Sequence, residues 1–184
     1  MRVISGKWKG RLLKAPSGMK TRPTSDKVKE AMFHRIGPYF DGGSGLDLYA
    51  GSGNLGIEAL SRGFSSFIFV DKNRSACHAI RSNLKTLEAL SVCEVYQMDV
   101  ERAILRLFRQ KQSFDLICMD PPYNDSNFEQ VLKKLAQHQL LKKDGLIYCE
   151  HRSTYQAPRY ISSLHCQQTY EYGDTSVSLF VNEL

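Results

Sequence analysis

The chain has 184 residues, 42% apolar and 24% charged, enough for one sizeable hydrophobic core with room for a small appendage. No run approaches the ~18 apolar residues that a membrane span needs, and the opening MRVISGKWKG holds neither an apolar signal core nor a cleavage site, so a cytoplasmic protein is expected. The formal charge of +6 is unevenly spread: residues 1–36 hold ten Lys or Arg against Asp26 and Glu30, while the rest is close to balance, which places a polyanionic partner at the N-terminal fifth.

Residues 2–4 and 11–14 read as two short strands around the turn-prone stretch Gly6–Gly10. Arg2, Lys7, Lys9 and Arg11 on this hairpin suit phosphate contacts, which position a nucleic acid without reading its bases. Trp8 fits two roles, stacking on a nucleotide or anchoring the hairpin. Pro16, Gly18 and Pro23 then interrupt regular structure. Thr24 or Ser25 caps a helix from about Asp26, with Val28, Ala31, Met32 and Ile36 on its apolar face and Lys27, Lys29 and Arg35 on the charged remainder. The expected division is a basic arm over 1–24 and a main domain over 25–184.

From Gly45 onward the pattern alternates. Strands are expected at 45–50, 67–71, 94–98, 115–119 and 146–150, and helices at 54–62, 73–90, 101–109, 127–141 and 157–164. Short apolar strands separated by amphipathic helices give an α/β fold with a parallel sheet covered on both faces. Segments 166–172 and 176–182, separated by Gly173 and Asp174, break the rhythm and read as an antiparallel edge pair, making seven strands. The five cysteines match no zinc spacing, Cys118 and Cys149 sit in apolar strand runs, and no metal is expected.

Two motifs carry chemistry. Gly51, Gly53 and Gly56, with Ser52 inside the turn, form GxGxxG directly after the strand LDLYA. Such a turn admits close approach of a ligand to the backbone. Asp47 precedes it, Asp71 ends the next strand with Lys72 behind it, and Asp99 ends the third. A structural turn and a dinucleotide site are both compatible with this spacing. Asp47, however, lies two residues nearer the strand's middle than a dinucleotide turn requires, and no hydride-transfer acid or base follows. Instead the fourth strand, LICM, runs into Asp120, Pro121, Pro122 and Tyr123. Consecutive prolines restrict the backbone and lack N–H groups, so Asp120 and the Pro121 carbonyl present acceptors to an exocyclic NH₂, with Tyr123 placed to stack on the base. The bland alternative is a rigid loop capped by Asp120.

These segments resemble the class I S-adenosylmethionine-dependent methyltransferases and, more closely, the bacterial small-subunit ribosomal RNA guanine-N2 methyltransferase family. The resemblance runs through MRVISGKWKGRLL at 1–13, TRPTSDKVKEAMF at 21–33, LDLYAGSGNLGIEALSRG at 46–63, FVDKN at 69–73, DLICMDPPY at 115–123, IYCEH at 147–151 and YGDTSVSLF at 172–180. It implies a Rossmann-like fold with a small N-terminal hairpin, S-adenosylmethionine as cofactor, and the N2 amine of a guanosine in 16S rRNA as target. The implied partner is the small subunit or its late assembly intermediate, met by a monomer. By this similarity Asp47, Gly51, Ser52, Gly53, Asp71, Lys72 and Asp99 serve the cofactor, and Asp120, Pro121 and Tyr123 the target base. Arg22, Pro122 and His151 join the arm residues Arg2, Lys7, Trp8, Lys9 and Arg11 in substrate binding. For His151 a hydrogen-bonded structural role is an equal alternative. His34 and Asp144–Gly145 depart from the family pattern. Two other functions compete: a DNA adenine-N6 or cytosine-N4 methyltransferase, since DPPY serves such amines too, and a non-catalytic RNA-binding or ribosome-assembly protein.

Overall fold

The computed structural model describes residues 1–18, 24–122 and 127–183. After the N-terminal arm come α1 (Thr24–Ile36), β1 (Ser44–Leu48), α2 (Asn54–Ser61), β2 (Ser66–Asp71), α3 (Arg74–Thr86), β3 (Cys93–Gln97), α4 (Val100–Arg109), β4 (Phe114–Met119), α5 (Phe128–Gln137), β5 (Leu141–Arg152), β6 (Tyr160–Ile161), β7 (Leu164–Tyr172) and β8 (Thr175–Asn182). The strands form one sheet in the order β3-β2-β1-β4-β5-β8-β7-β6. Pairings from β3 to β5 are parallel, and β5, β8, β7 and β6 pair antiparallel. This is the expected α/β sheet with an antiparallel edge, of eight strands rather than seven. The extra strand, β6, falls where the sequence pattern predicts a helix over 157–164. Tyr160 and Ile161 there pair with His165 and Leu164, so cross-strand bonding at the open edge prevails over helical spacing.

Alternation along each strand divides the core in two. Leu46, Leu48, Ile68, Val70, Ile117, Met119, Ile147 and Cys149 face the layer of α4 and α5. Phe67, Phe69, Leu116, Cys118, Tyr148, Val177 and Leu179 face α1, α2 and α3. Burial of every second residue on each face is what forces these short segments to stay extended and in register.

The N-terminal arm is less regular than two strands. Among its described residues the one ladder bridge is Arg2 with Leu12, extended by the bonds from Val3 N–H to the Arg11 carbonyl and from Leu13 N–H to the Met1 carbonyl. It is nonetheless tied to the domain. Glu58 on α2 accepts the backbone N–H groups of Ile4 and Ser5 at 2.9 and 3.1 Å, Ser61 Oγ accepts that of Trp8 at 3.0 Å, and Asn83 on α3 exchanges two bonds with the Lys14 backbone. The Trp8 ring packs partly buried against the core.

Lys29 overturns its expected place on a charged outer face. It is fully buried. Its ammonium donates to the Arg2 carbonyl at 2.8 Å and to Asn54 Oδ1 at 2.6 Å, and lies 3.2 Å from Glu58 Oε2. Arg62 Nε donates to Glu58 Oε1 at 2.7 Å. Burial lowers the Lys29 pKa against the attraction of Glu58, which raises it. Such a cluster tolerates burial only because each member is met by partners. Replacing Glu58 with Ala is expected to cost about 3–5 kcal/mol, because Lys29 and Arg62 keep their charge without its counterion. Urea unfolding measures that loss, and the Ile4 and Ser5 amides should lose hydrogen-exchange protection at the same time.

Candidate active site

The chain reverses its direction of sheet growth at β1. From β1 it builds outward through β2 to β3, then returns to place β4 on the other side of β1 and β5 beyond that. Loops at the carboxyl ends of β1 and β4 diverge at such a point and leave a crevice. The registers Leu48↔Val70, Leu48↔Met119 and Met119↔Cys149 set the strand tips level. The turn after β1 therefore stands between Asp71 at the end of β2 and Asp120 directly after β4. Neighbouring strands lie about 4.8 Å apart.

That turn is shaped for close approach. Gly51 has φ +57°, and a Cβ built on it meets nothing within 4 Å among the described residues, so the space over it is open there. Gly53 has φ +79° and is packed on its inner side, where a Cβ would lie 3.2–3.4 Å from Ile57, Phe69 and Ile80. Positive φ at both positions favours glycine. Asp71 braces the turn from the side: Gly51 N–H donates to its Oδ2 at 2.9 Å and Asn73 N–H to its Oδ1 at 2.8 Å. A carboxylate oxygen accepts more than one bond, so both oxygens keep capacity for a ligand diol while their orientation is fixed.

Asp47 sits deeper, 1% exposed, and accepts the Gly56 N–H at 2.9 Å. It holds α2 against β1 and supports the turn from behind rather than lining the crevice. Burial pushes its carboxyl well above the usual range; the Gly56 bond opposes this, and the charges of Asp71 and Glu150 reinforce it. Ser52 is also turned inward, its hydroxyl against Met1 Sδ at 3.4 Å and its carbonyl bonded by Asn83. Lys72 is exposed. Asp99 lies beyond β3, not in it. It is exposed and caps α4 by accepting Glu101 N–H at 2.9 Å, as an acidic residue before a helix tends to do.

On the other side of the turn, Asp120 is exposed, Pro121 buried and Pro122 exposed. Tyr123 and Arg22 lie outside the described residues. His151 does not open toward the crevice. It is 6% exposed, its Nδ1 meets the Arg152 carbonyl at 2.9 Å, its Nε2 meets Ser178 Oγ at 2.8 Å, and its ring packs against Phe128 and Tyr155. A carbonyl only accepts, so Nδ1 carries hydrogen, and burial lowers the pKa. Arg2, Lys7, Lys9 and Arg11 are all exposed. Among the described residues no group of His, Cys, Asp and Glu is arranged to hold a metal, and no helix is long and apolar enough to cross a membrane.

Sequence reasoning missed Glu150 and Tyr148. Both are buried near the carboxyl end of β5, with the Tyr148 hydroxyl donating to Glu150 Oε1 at 2.6 Å. The available signal was an acid at the end of a strand otherwise made of core residues.

The doubly wound sheet, the glycine turn at its reversal point and the acids at neighbouring strand tips define a class I methyltransferase fold. The chain belongs to the family described as "Conserved hypothetical protein 95", whose pattern matches residues 1–181. It is 48% identical over 180 residues to the Bacillus subtilis protein named "Putative rRNA methyltransferase YlbH", covering 98% of each. It is 32% identical to "Ribosomal RNA small subunit methyltransferase D" of Escherichia coli, over 82% of this chain and 74% of that one. The solved structure described as "Putative methyltransferase yhhF from Escherichia coli" superposes with a TM-score of 0.83 at 29% identity, covering 100% of this chain and 98% of the other.

The buried Asp47 generates a pH prediction. The folded carboxyl keeps its proton to higher pH than the unfolded one, so stability is greatest below the ordinary Asp range and falls as pH rises through the raised folded value. Glu150, also raised by burial, contributes in the same direction. Asp47→Asn should remove its share of that decline. Urea midpoints of the free protein measured from pH 4 to 9 should therefore fall less steeply in the variant.

Proposed function

We propose that this protein transfers a methyl group from S-adenosylmethionine to the exocyclic N2 amine of a guanosine in the 16S rRNA of the small ribosomal subunit. One observation carries the reading: the open glycine turn stands between the Asp71 carboxylate and the Asp120–Pro121 acceptor pair, on three adjacent parallel strands. The relatives named for small-subunit rRNA methylation support the substrate class.

The residues present fit that cofactor. Gly51 leaves free space where a Cβ would otherwise project, and Asp71 offers oriented lone pairs suited to a ribose. Lys72 and Asp99 flank the adenine side. The chemistry supplied by S-adenosylmethionine when bound is a methyl group on a sulfonium sulfur. A guanine amine is a weak nucleophile because its lone pair is shared with the ring. Asp120 and the Pro121 carbonyl accept its two hydrogens and favour the geometry in which the lone pair leaves the ring plane. The negative Asp120 also stabilises the positive charge developing on nitrogen. Fixing the amine against the glycine turn removes much of the entropic part of the barrier. The methylated nitrogen then sheds one proton to solvent. Tyr123 is assigned to stacking on the base, and Pro122 and Arg22 to substrate binding.

The arm, residues 1–24, holds RNA phosphates through Arg2, Lys7, Lys9 and Arg11, and residues 25–184 carry the reaction. A groove of about 680 Å³ between the arm and the start of α3, lined by Lys14, Pro16, Arg74, His78 and Ser82 among others, extends the basic track. The protein acts as a cytoplasmic monomer on an assembled or nearly assembled subunit.

Labelled cofactor with unmodified small subunits should place label on guanine N2 after nuclease digestion and mass analysis. Label on DNA, or none on 16S rRNA, would overturn the reading. Asp120→Ala should lower kcat about 10²-fold while leaving cofactor affinity, read by calorimetry, nearly unchanged. Changing Lys7, Lys9 and Arg11 together to Ala should weaken subunit binding and flatten its salt dependence by roughly 0.7–0.9 log units of affinity per log unit of salt for each phosphate no longer neutralised.

A further inference from the structure

We propose that Glu150 is a positioning residue for Asp120: the two carboxyls share one proton, and Glu150, steadied by Tyr148, keeps an Asp120 oxygen presented to the incoming amine. This rests on the assignment of Asp120 to the target base.

The sheet puts the two acids side by side. Parallel pairing of β4 with β5 runs Cys118↔Tyr148 and Met119↔Cys149, so the next step out of the sheet is Asp120 beside Glu150. Cys118 and Tyr148 both belong to the core layer of α1, α2 and α3, and Asp120 and Glu150, two residues further along, continue toward that face. Their side chains are hydrogen-bonded to each other. Tyr148 is fully buried, and its hydroxyl fixes Glu150 from behind at 2.6 Å.

An ionised carboxylate only accepts hydrogen bonds. A bond between two carboxyls therefore requires a proton on one of them, and two such acids in contact titrate as a pair. Glu150 is 8% exposed and Asp120 is open to solvent. Burial favours the neutral form of Glu150, and its bonds with Tyr148 and Asp120 oppose this. The pair thus holds one proton and one negative charge between its two carboxyls, where an amine hydrogen needs an acceptor. Among the described residues, the other ionisable groups facing this pair are Asp47 on β1, Cys118 on β4 and Tyr148 on β5, with Asp71 on β2 acting on Asp47. None is cationic, so nothing among them favours a second negative charge. Loss of the shared proton at high pH sets two anions against each other and turns Asp120 away.

Two measurements test this. Carboxyl carbon NMR titration of the free enzyme needs no RNA, so it is independent of the substrate assignment. Asp120 and Glu150 should titrate in two linked steps, and Asp120→Asn should reduce Glu150 to a single step. In methyl transfer to small subunits, the wild-type kcat should fall on the alkaline side. Glu150→Gln, whose amide donates at every pH, should lose that alkaline limb with kcat within about threefold of wild type at neutral pH. Glu150→Ala should lower kcat about tenfold with cofactor affinity within twofold; where that variant does not fold, Glu150→Gln decides. Independent single titrations in the wild type, superimposable pH profiles for wild type and Glu150→Gln, or equal loss of kcat and cofactor affinity in Glu150→Ala would each overturn the proposal. Absence of any methyl transfer by the wild type, with linked titrations intact, would instead sink the substrate assignment alone.

Discussion

Everything functional here depends on β1 being hydrogen-bonded on both sides by parallel strands that the chain reaches in opposite directions. Parallel pairing sends all carboxyl ends to one edge, and the reversal opens that edge at β1. The glycine turn, Asp71, Asp120 and Glu150 come from segments up to 100 residues apart in sequence. They converge because their strands are neighbours in level register. A slip of one residue in β4 would send Asp120 to the opposite face and replace it with a core side chain.

The second constraint is the buried charge cluster around Glu58. It joins the arm, α1 and α2 through one carboxylate, and Lys29 extends the link to Asn54, the first residue of α2 after the glycine turn. Desolvation makes this arrangement costly if any partner is removed. Its consequence is geometric: the basic arm is held at a set place relative to the turn. Exposed Lys7, Lys9 and Arg11 thus sit on an anchored segment rather than on a loose charged tail.

The acids near the crevice divide by burial. Asp47 is enclosed and shapes the turn, Asp71 is oriented by two backbone donors, Glu150 is enclosed beside Tyr148, and Asp120 faces outward. The same carboxyl group thus stands in four settings, which differ in how much water each retains. Among these acids Asp47 is made less stable as an anion both by burial and by the charges of Asp71 and Glu150.

The α/β class, the strand and helix sequence and both motifs were legible in the chain because they rest on local signals: hydrophobic period, turn glycines and the stiffness of Pro121–Pro122. Asp71 and Asp120 were legible as strand-end acids for the same reason. Other roles depended on which surfaces meet. Lys29 has the helical position of a solvent-facing lysine, yet it is buried because the arm folds over it. His151 looks like a site histidine, yet Ser178, on a strand 27 residues later, takes one of its nitrogens. Residues 157–164 carry helical spacing, but the sheet edge offered backbone partners and made part of them a strand. The sequence by itself determined most of the elements and the polar motifs at their ends. The tertiary structure alone decided which polar groups lost water and found partners, because burial is set by neighbours that are distant along the chain.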